Sequence, residues 1–343
     1  MSINHFGLDI GSTTIKVAKF KKSGSGLEAE AIGVGPAPER GIVSDSQSDL
    51  ATLSQYVKEV ISQANIRSEE VAVSLPDNQV YTKIIDMPAL SERELSASLK
   101  YEMEQYIPLP LDQVRTDWQI LGTSNKDGRQ VTSVFLVAAP IALLNKYEKV
   151  IEQAGYAATI IETEMISVYR ALYPLLHNPA PSIVLHMGAM TSSISVVKNG
   201  VILLIFTIDR GGLAITRAIS SDLGIDPSQA ESFKKVYGLN KETFEGKIGK
   251  SLFPILESIM GDVRKTMLMY KERYNNEEIN QIVLSGGTAL LPGIDVYFTN
   301  QLNVQVVLGN AFQLYNIAKI PEELIREAAS FNTVVGLGIK ELI

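Results

Sequence analysis

Two stretches of the chain carry the same pattern of apolar and polar positions. Residues 6–20, FGLDIGSTTIKVAKF, run apolar, break at a Gly-Ser-Thr turn and return apolar, which predicts strand, tight turn, strand, with a third strand over 27–34. Residues 183–208, IVLHMGAMTSSISVVKNGVILLIFTI, predict the same order of strand, turn, strand, turn, strand. Setting Gly11 against Gly188 gives an offset of 177 residues, at which Leu8 meets Leu185, Asp9 meets His186 and Thr14 meets Thr191. Such self-similarity indicates an internal duplication of a sheet domain.

Between the repeats the periodicity changes. Leu50, Leu53, Val57, Val60 and Ile61 share one face of a helix expected over 49–64, and apolar runs at 71–75 and 80–85 predict strands. Beyond Met87-Pro88, Ser91 and Glu94 form a capping-box pattern, and Leu95, Leu99, Met103 and Tyr106 line the face of a helix that Pro108 and Pro110 end. Alternating segments at 114–121 and 131–138 flank a polar turn at 124–129. A helix over 141–154 and a strand over 157–161 are expected to complete an inserted α+β unit. The expected division is a first domain at 1–86 plus 162–178, an inserted subdomain at 87–161, and a second domain at 179–343 with a helical insert at about 225–275. The closing stretch SFNTVVGLGIKELI is expected to be a final helix of that second domain.

With 343 residues the chain exceeds one ordinary core, and 45% hydrophobic with 20% charged residues is a globular balance. A net charge of -7 argues against nucleic acid or an anionic membrane surface as the main partner. The absence of cysteine excludes disulfides and thiolate chemistry, and His5, His177 and His186 show no metal-ligand spacing. No signal peptide and no run of roughly 18 apolar residues is present, so the expectation is a cytoplasmic chain with no membrane span.

The chemistry is concentrated in turns. Asp9, Gly11, Ser12 and Thr13 form a turn whose glycine lets backbone N–H groups approach an anion while the hydroxyls add donors. Lys16 can reach a phosphate from the returning strand, and Asp9 can hold Mg²⁺ through its water shell. An ordinary polar hairpin turn uses the same residues. Gly188 and Thr191 keep the turn chemistry in the second repeat, where His186 replaces the aspartate. Gly211 and Gly212 precede a helix and offer backbone donors at its N-terminus, though a plain cap reads the same way. Glu231 and Lys234 stand three apart on one helix face, ordinarily a solvated ion pair. Gly286, Gly287 and Thr288 follow a strand at a point where a ligand can approach the backbone closely.

In this fixed order the pieces resemble the superfamily of actin, sugar kinases and DnaK-type chaperones. That resemblance implies an α/β, actin-like fold: duplicated RNase H-like domains face each other across a cleft that binds ATP and Mg²⁺. Under it, Asp9, Gly11, Ser12, Thr13 and Lys16 match the first phosphate motif and Gly188 and Thr191 the second. Gly211 and Gly212 match the phosphate-side glycines, Glu231 and Lys234 the nucleoside-holding pair, and Gly286, Gly287 and Thr288 the adenosine motif. The inserted unit is placed as in FtsA. Its segment MPALSERELSASLKYEMEQYIPLPLDQVRTDWQIL is similar to the PilM family of type IV pilus assembly proteins.

The PilM resemblance implies a scaffold that is peripheral to the inner membrane through protein partners. It would bind the cytoplasmic N-terminal segment of a PilN-like protein in a groove bordered by the first domain and the insert. Other platform proteins and the pilus motor ATPases join the implied partners. The family usually has aspartate where this chain has His186, so ATP is expected to bind but to turn over slowly or not at all. An FtsA-like membrane-associated filament protein is the alternative, and a small-molecule kinase of the same superfamily a more distant one.

Overall fold

The computed structural model describes residues 5–90, 92–126, 128–240 and 246–343. Ser91, the expected cap, and Asp127, in the expected polar turn, lie outside the described residues. The chain opens with strands β1 (His5–Ile10), β2 (Thr14–Ser23) and β3 (Gly26–Pro36), helix α1 (Gln47–Gln63) and strands β4 (Glu70–Leu75) and β5 (Tyr81–Pro88). Helix α2 (Glu92–Tyr106), strands β6 (Val114–Lys126) and β7 (Arg129–Pro140), helix α3 (Ile141–Ala154), strand β8 (Ala157–Thr163) and helix α4 (Glu164–Leu176) follow.

The second half runs through β9 (Ser182–Met187), β10 (Ser192–Lys198), β11 (Val201–Ile208), α5 (Gly212–Leu223), α6 (Pro227–Tyr237) and α7 (Lys247–Arg273). After these come β12 (Gln281–Ser285), α8 (Ile294–Leu302), β13 (Gln305–Leu308) and the short helices α9 (Ala311–Leu314), α10 (Glu322–Ile325) and α11 (Asn332–Gly338). Among the described residues, no helix is long and apolar enough to cross a membrane.

The strands form two five-stranded sheets of one topology, β3-β2-β1-β4-β8 and β11-β10-β9-β12-β13. In each, the first three strands are antiparallel and the next two run parallel to the central one. The central strands β1 and β9 are buried along their whole length. A third, antiparallel sheet, β5-β7-β6, packs α2 over a separate core that includes Leu95, Leu99, Val134 and Leu136.

The structure corrects three expected boundaries. The run at 80–85 is not a strand of the first domain. It opens β5, an edge of the small sheet, so the inserted unit begins before residue 87. Helix α3 and strand β8, expected to complete that unit, belong to the first domain. There β8 pairs with β4, and Leu143, Tyr147, Val150 and Ile151 of α3 share a core with α1. Helix α4 and the closing segment are exchanged: α4 buries Met165, Val168 and Leu172 against the second sheet, whereas α11 packs Val334 and Val335 against Ala18 and Phe20 of the first. The i, i+3, i+7 spacing in α4 gives it one apolar stripe, and the second sheet supplies the facing Val184, Val197 and Val283.

Candidate functional site

The two turns of the duplication adopt the same geometry. Gly11 N–H donates to the Thr14 carbonyl at 3.0 Å, and Gly188 N–H donates to the Thr191 carbonyl at 2.9 Å. Each follows the carboxyl end of its central strand, the edge at which open α/β sheets bind ligands. In the first turn, Asp9 and Lys16 are register partners on β1 and β2, and Lys16 Nζ stands 3.9 Å from Asp9 Oδ2 and 3.1 Å from Thr14 Oγ1. Ser12 and Thr13 are exposed at the tip.

The second turn is fastened to its surroundings. Gly212 N–H and Leu213 N–H, at the start of α5, donate to the carbonyls of Gly188 and Ala189 at 3.0 and 2.9 Å. Only glycine fits at 211, since a Cβ there would stand 2.6 Å from both of those carbonyl oxygens. Thr288 Oγ1 donates to Gly188 O at 2.8 Å, and Gly286 holds a positive φ of 88° as its backbone passes against Met187.

Two of the expected ligand residues are engaged within the protein itself. The Gly212 N–H donates to the Gly188 carbonyl. Lys234, expected to hold a nucleoside, is buried with its ammonium protons directed to Glu231 at 2.6 Å and to Gly212 O and Thr216 Oγ1 at 3.0 Å each. An ammonium has three donors, so this lysine joins α6 to the start of α5. Of the expected pair, Glu231 keeps a partly exposed carboxylate. Gly287 stays exposed while its neighbours Gly286 and Thr288 are buried.

Between the turns lies a cluster that the sequence reading missed. Thr163 caps α4, placing Glu164 in its first turn, where the helix dipole favours an anion. Glu164 Oε1 meets Nε2 of His186 at 3.3 Å, and His186 Nδ1 pairs with Ser285 Oγ at 3.0 Å, itself hydrogen-bonded by Asn332 Nδ2 at 2.9 Å. Asp77, after β4, accepts the Met165 N–H through Oδ1 at 3.1 Å, and its buried carboxyl also lies within hydrogen-bonding influence of Ser193. Nothing in the linear sequence distinguishes Glu164 or Asp77 from ordinary helix-start and turn acids. Only the fold brings them to His186.

Burial dominates the titration of this cluster. It raises the Asp9 carboxyl to about 6, with Glu164 raising it further and Lys16 and His186 opposing. Burial and Glu164 push Asp77 up to about 7, against the Met165 amide, Ser193 and His186. Burial favours the neutral His186 ring, but the Glu164 carboxylate, helped by Asp77 and Asp9, outweighs it and raises the imidazole above its ordinary value. Burial of Glu164 is in turn outweighed by His186, so its carboxyl is lowered. Raised groups contribute stability that is present below their unfolded pKa and lost as pH rises through the folded one; the Glu164 contribution is lost only in more acidic solution. The ligand-free protein is therefore expected to lose thermal stability as pH rises from about 4 to 7, the window between the ordinary and raised values of Asp9 and Asp77, with the Asp9 shift alone setting a scale of about 3 kcal/mol. Asp77→Asn should flatten the profile. A melting temperature that is level or rising across this range would contradict these assignments.

Comparison with known proteins places this geometry. A family model described as type IV pilus assembly protein PilM matches residues 7–342. The chain belongs to the PilM family. A solved PilM-PilN type IV pilus biogenesis complex is similar at 22% identity, covering 98% of both chains with a TM-score of 0.84. MreB5 of Spiroplasma citri bound to AMPPNP matches at 15% identity, covering 98% of this chain and 96% of its own, with a TM-score of 0.54. The cell division protein FtsA of Streptococcus pneumoniae is 23% identical over 331 residues, 84% of this chain and 71% of its own. The fold of this PilM-family chain is actin-like.

Proposed function

We propose that this PilM-family chain is an ATP-binding scaffold of the type IV pilus inner-membrane platform, and that it recruits the cytoplasmic N-terminus of a PilN-like protein. The observation that carries the nucleotide part is the pair of matching turns at the carboxyl ends of β1 and β9, with Asp9, Lys16, Glu164 and His186 between them. The donor set suits a triphosphate with a hard cation: exposed Ser12 and Thr13 hydroxyls, the Lys16 ammonium, and one carboxylate, Asp9, for water-mediated contact. Among the described residues no group of three or more His, Asp or Glu side chains could hold a metal ion, so Mg²⁺ would arrive with phosphate oxygens supplying much of its shell. Bound there, Mg²⁺ supplies charge neutralisation for the phosphates. The similar MreB5 is bound to AMPPNP, which supports this reading.

His186 makes the site a poor hydrolase. It puts an imidazole where the family usually has a carboxylate, and it engages Glu164, the acid at the head of α4. A raised imidazole pKa favours the cation, which repels Mg²⁺.

For the partner, a groove of about 400 Å³ lies between the loop after β4, strand β5, the end of α2 and strand β11. Strands β5 and β11 are edges of their sheets, so each has backbone groups available to pair with an extended chain. Ile107, Leu136 and Phe206 offer apolar surface, and Lys83 stacks 3.3 Å from the centroid of Tyr106. The relative solved as a PilM-PilN complex supports a PilN-like occupant. A labelled synthetic peptide of the PilN-like N-terminus should bind the full chain saturably in fluorescence anisotropy, and Thr82→Trp, which fills the groove, should weaken it at least tenfold. No binding to the wild-type chain, or equal binding to Thr82→Trp, would overturn the assignment.

A further inference from the structure

The segment that leads into α11 belongs to the lobe built on the first sheet, yet it is fastened to the loop after β12 in the other. Ala328–Phe331 forms a 3-10 turn in which Ala328 and Phe331, three apart and so on one face, sit in a core with Ala18 and Phe20 of β2. Two anchors tie this turn to the second lobe. Gly286 N–H donates to Ala329 O at 2.8 Å, and Asn332 Nδ2 donates to Ser285 Oγ at 2.9 Å and to Gly309 O at 3.1 Å.

Ser330 lies between those anchors. With Ala328 and Phe331 on the core face, its side chain turns the other way, and its Cβ stands 4.0 Å from where a Cβ on Gly287 would be. Gly287 is exposed, whereas Ser330 is 7% exposed and its Oγ has no hydrogen-bond partner among the described residues. A hydroxyl buried without a partner destabilises a fold, so its retention calls for a reason. The surroundings supply one. Next to Gly287, Thr288 donates to the Gly188 carbonyl of the second turn, and next to Ser330, the Phe331 ring lies 5.7 Å from Lys16 Nζ of the first. A ligand whose phosphates rest on those turns brings the portion that follows them past Thr288 to Gly287 and the Ser330 hydroxyl.

We propose that Ser330 is a nucleotide-binding residue whose hydroxyl donates to an oxygen of the sugar-phosphate portion common to ATP and ADP, facing it from the first lobe opposite Gly287. The inference rests on the proposed function, whose nucleotide it takes as the ligand. Held between Ala329 and Asn332, the hydroxyl is in place before the ligand arrives, and the ligand oxygen gives it the partner that the protein does not. A binding role and a structural one differ in sign. Truncating a partnered serine weakens the fold, whereas truncating a partnerless buried hydroxyl leaves the ligand-free fold level or firmer and weakens only the complex.

The test titrates the full chain with ATP and with ADP in the presence of Mg²⁺, and melts the ligand-free protein. Ser330→Ala should weaken ATP and ADP by the same factor, about five- to tenfold, while the ligand-free melting temperature stays level or rises. Gly287→Ala puts its methyl 4.0 Å from the Ser330 Cβ, an ordinary contact, so it should fold and weaken both nucleotides by covering the hydroxyl. Unchanged nucleotide affinity in either folded variant, or a loss for ATP that ADP does not share, would overturn the assignment. A lowered ligand-free melting temperature in Ser330→Ala would overturn it as well, by returning the residue to a structural role. A wild type that binds neither nucleotide would instead overturn the ATP-binding reading on which the inference rests.

Discussion

Replacing His186 with aspartate is expected to cost the ligand-free protein about 3–5 kcal/mol and, with Mg²⁺ present, to raise ATP turnover tenfold or more. The cost follows from the cluster. His186 is 5% exposed and contacts Glu164 at 3.3 Å, with Asp9 and Asp77 in electrostatic reach. Aspartate there removes the cation and leaves buried carboxyls that must take up protons or a metal ion. The gain follows from the same change, because the new carboxylate can hold the water shell of Mg²⁺ and Glu164 is released from its imidazole partner. The melting temperature of the variant should therefore depend on Mg·ATP more steeply than that of wild type. His186→Asn separates the two effects: it breaks the pair without adding charge, and it should not gain turnover. Equal ATP turnover by wild type and His186→Asp would refute this account of His186.

Gly336→Val is expected to abolish folding. Helices α4 and α11 cross at backbone contact, and any Cβ at 336 would overlap the carbonyl of Ser167. The neighbouring backbone has no room to retreat: Gly7 and Gly338 hold α11 against β1, and Arg170 ties the Gly336 carbonyl at 2.8 Å while pairing with Glu162. A loss of more than about 4–5 kcal/mol belongs to this kind of backbone collision. Gly261, inside α7, has nothing within 4 Å of its would-be Cβ, so Gly261→Ala should raise stability by about 0.5–1 kcal/mol. Circular dichroism and thermal melts of the two variants check the contrast. A cooperative melt of Gly336→Val near that of wild type would contradict the crossing.

The duplication was legible because turn chemistry and strand alternation are local. The 177-residue offset pairs Gly11 with Gly188 and Thr14 with Thr191, and the structure gives both pairs the same hydrogen bond. Partnership between elements was not legible. The run at 80–85 reads as a strand wherever it pairs, and α3 has an apolar face that fits either the insert or the first sheet. The exchange of α4 and α11 depends on close approach at Gly336, which a sequence shows only as one glycine among 25. At the site, the backbone turns could be read, whereas Glu164 and Asp77 could not, since their significance lies in contacts across 88 residues or between lobes. Lys234 shows both sides. Its i, i+3 spacing to Glu231 was legible, whereas its burial and its contacts with Gly212 and Thr216 at the start of α5 were not.

The central claim, that Mg·ATP occupies the cleft between the two turns, is tested most directly by isothermal titration of the full chain with ATP in the presence of Mg²⁺. Wild-type protein should bind one equivalent saturably, and Asp9→Ala should bind at least tenfold more weakly while retaining its fold. Absence of binding by wild type, or an unchanged affinity in folded Asp9→Ala, would contradict the claim.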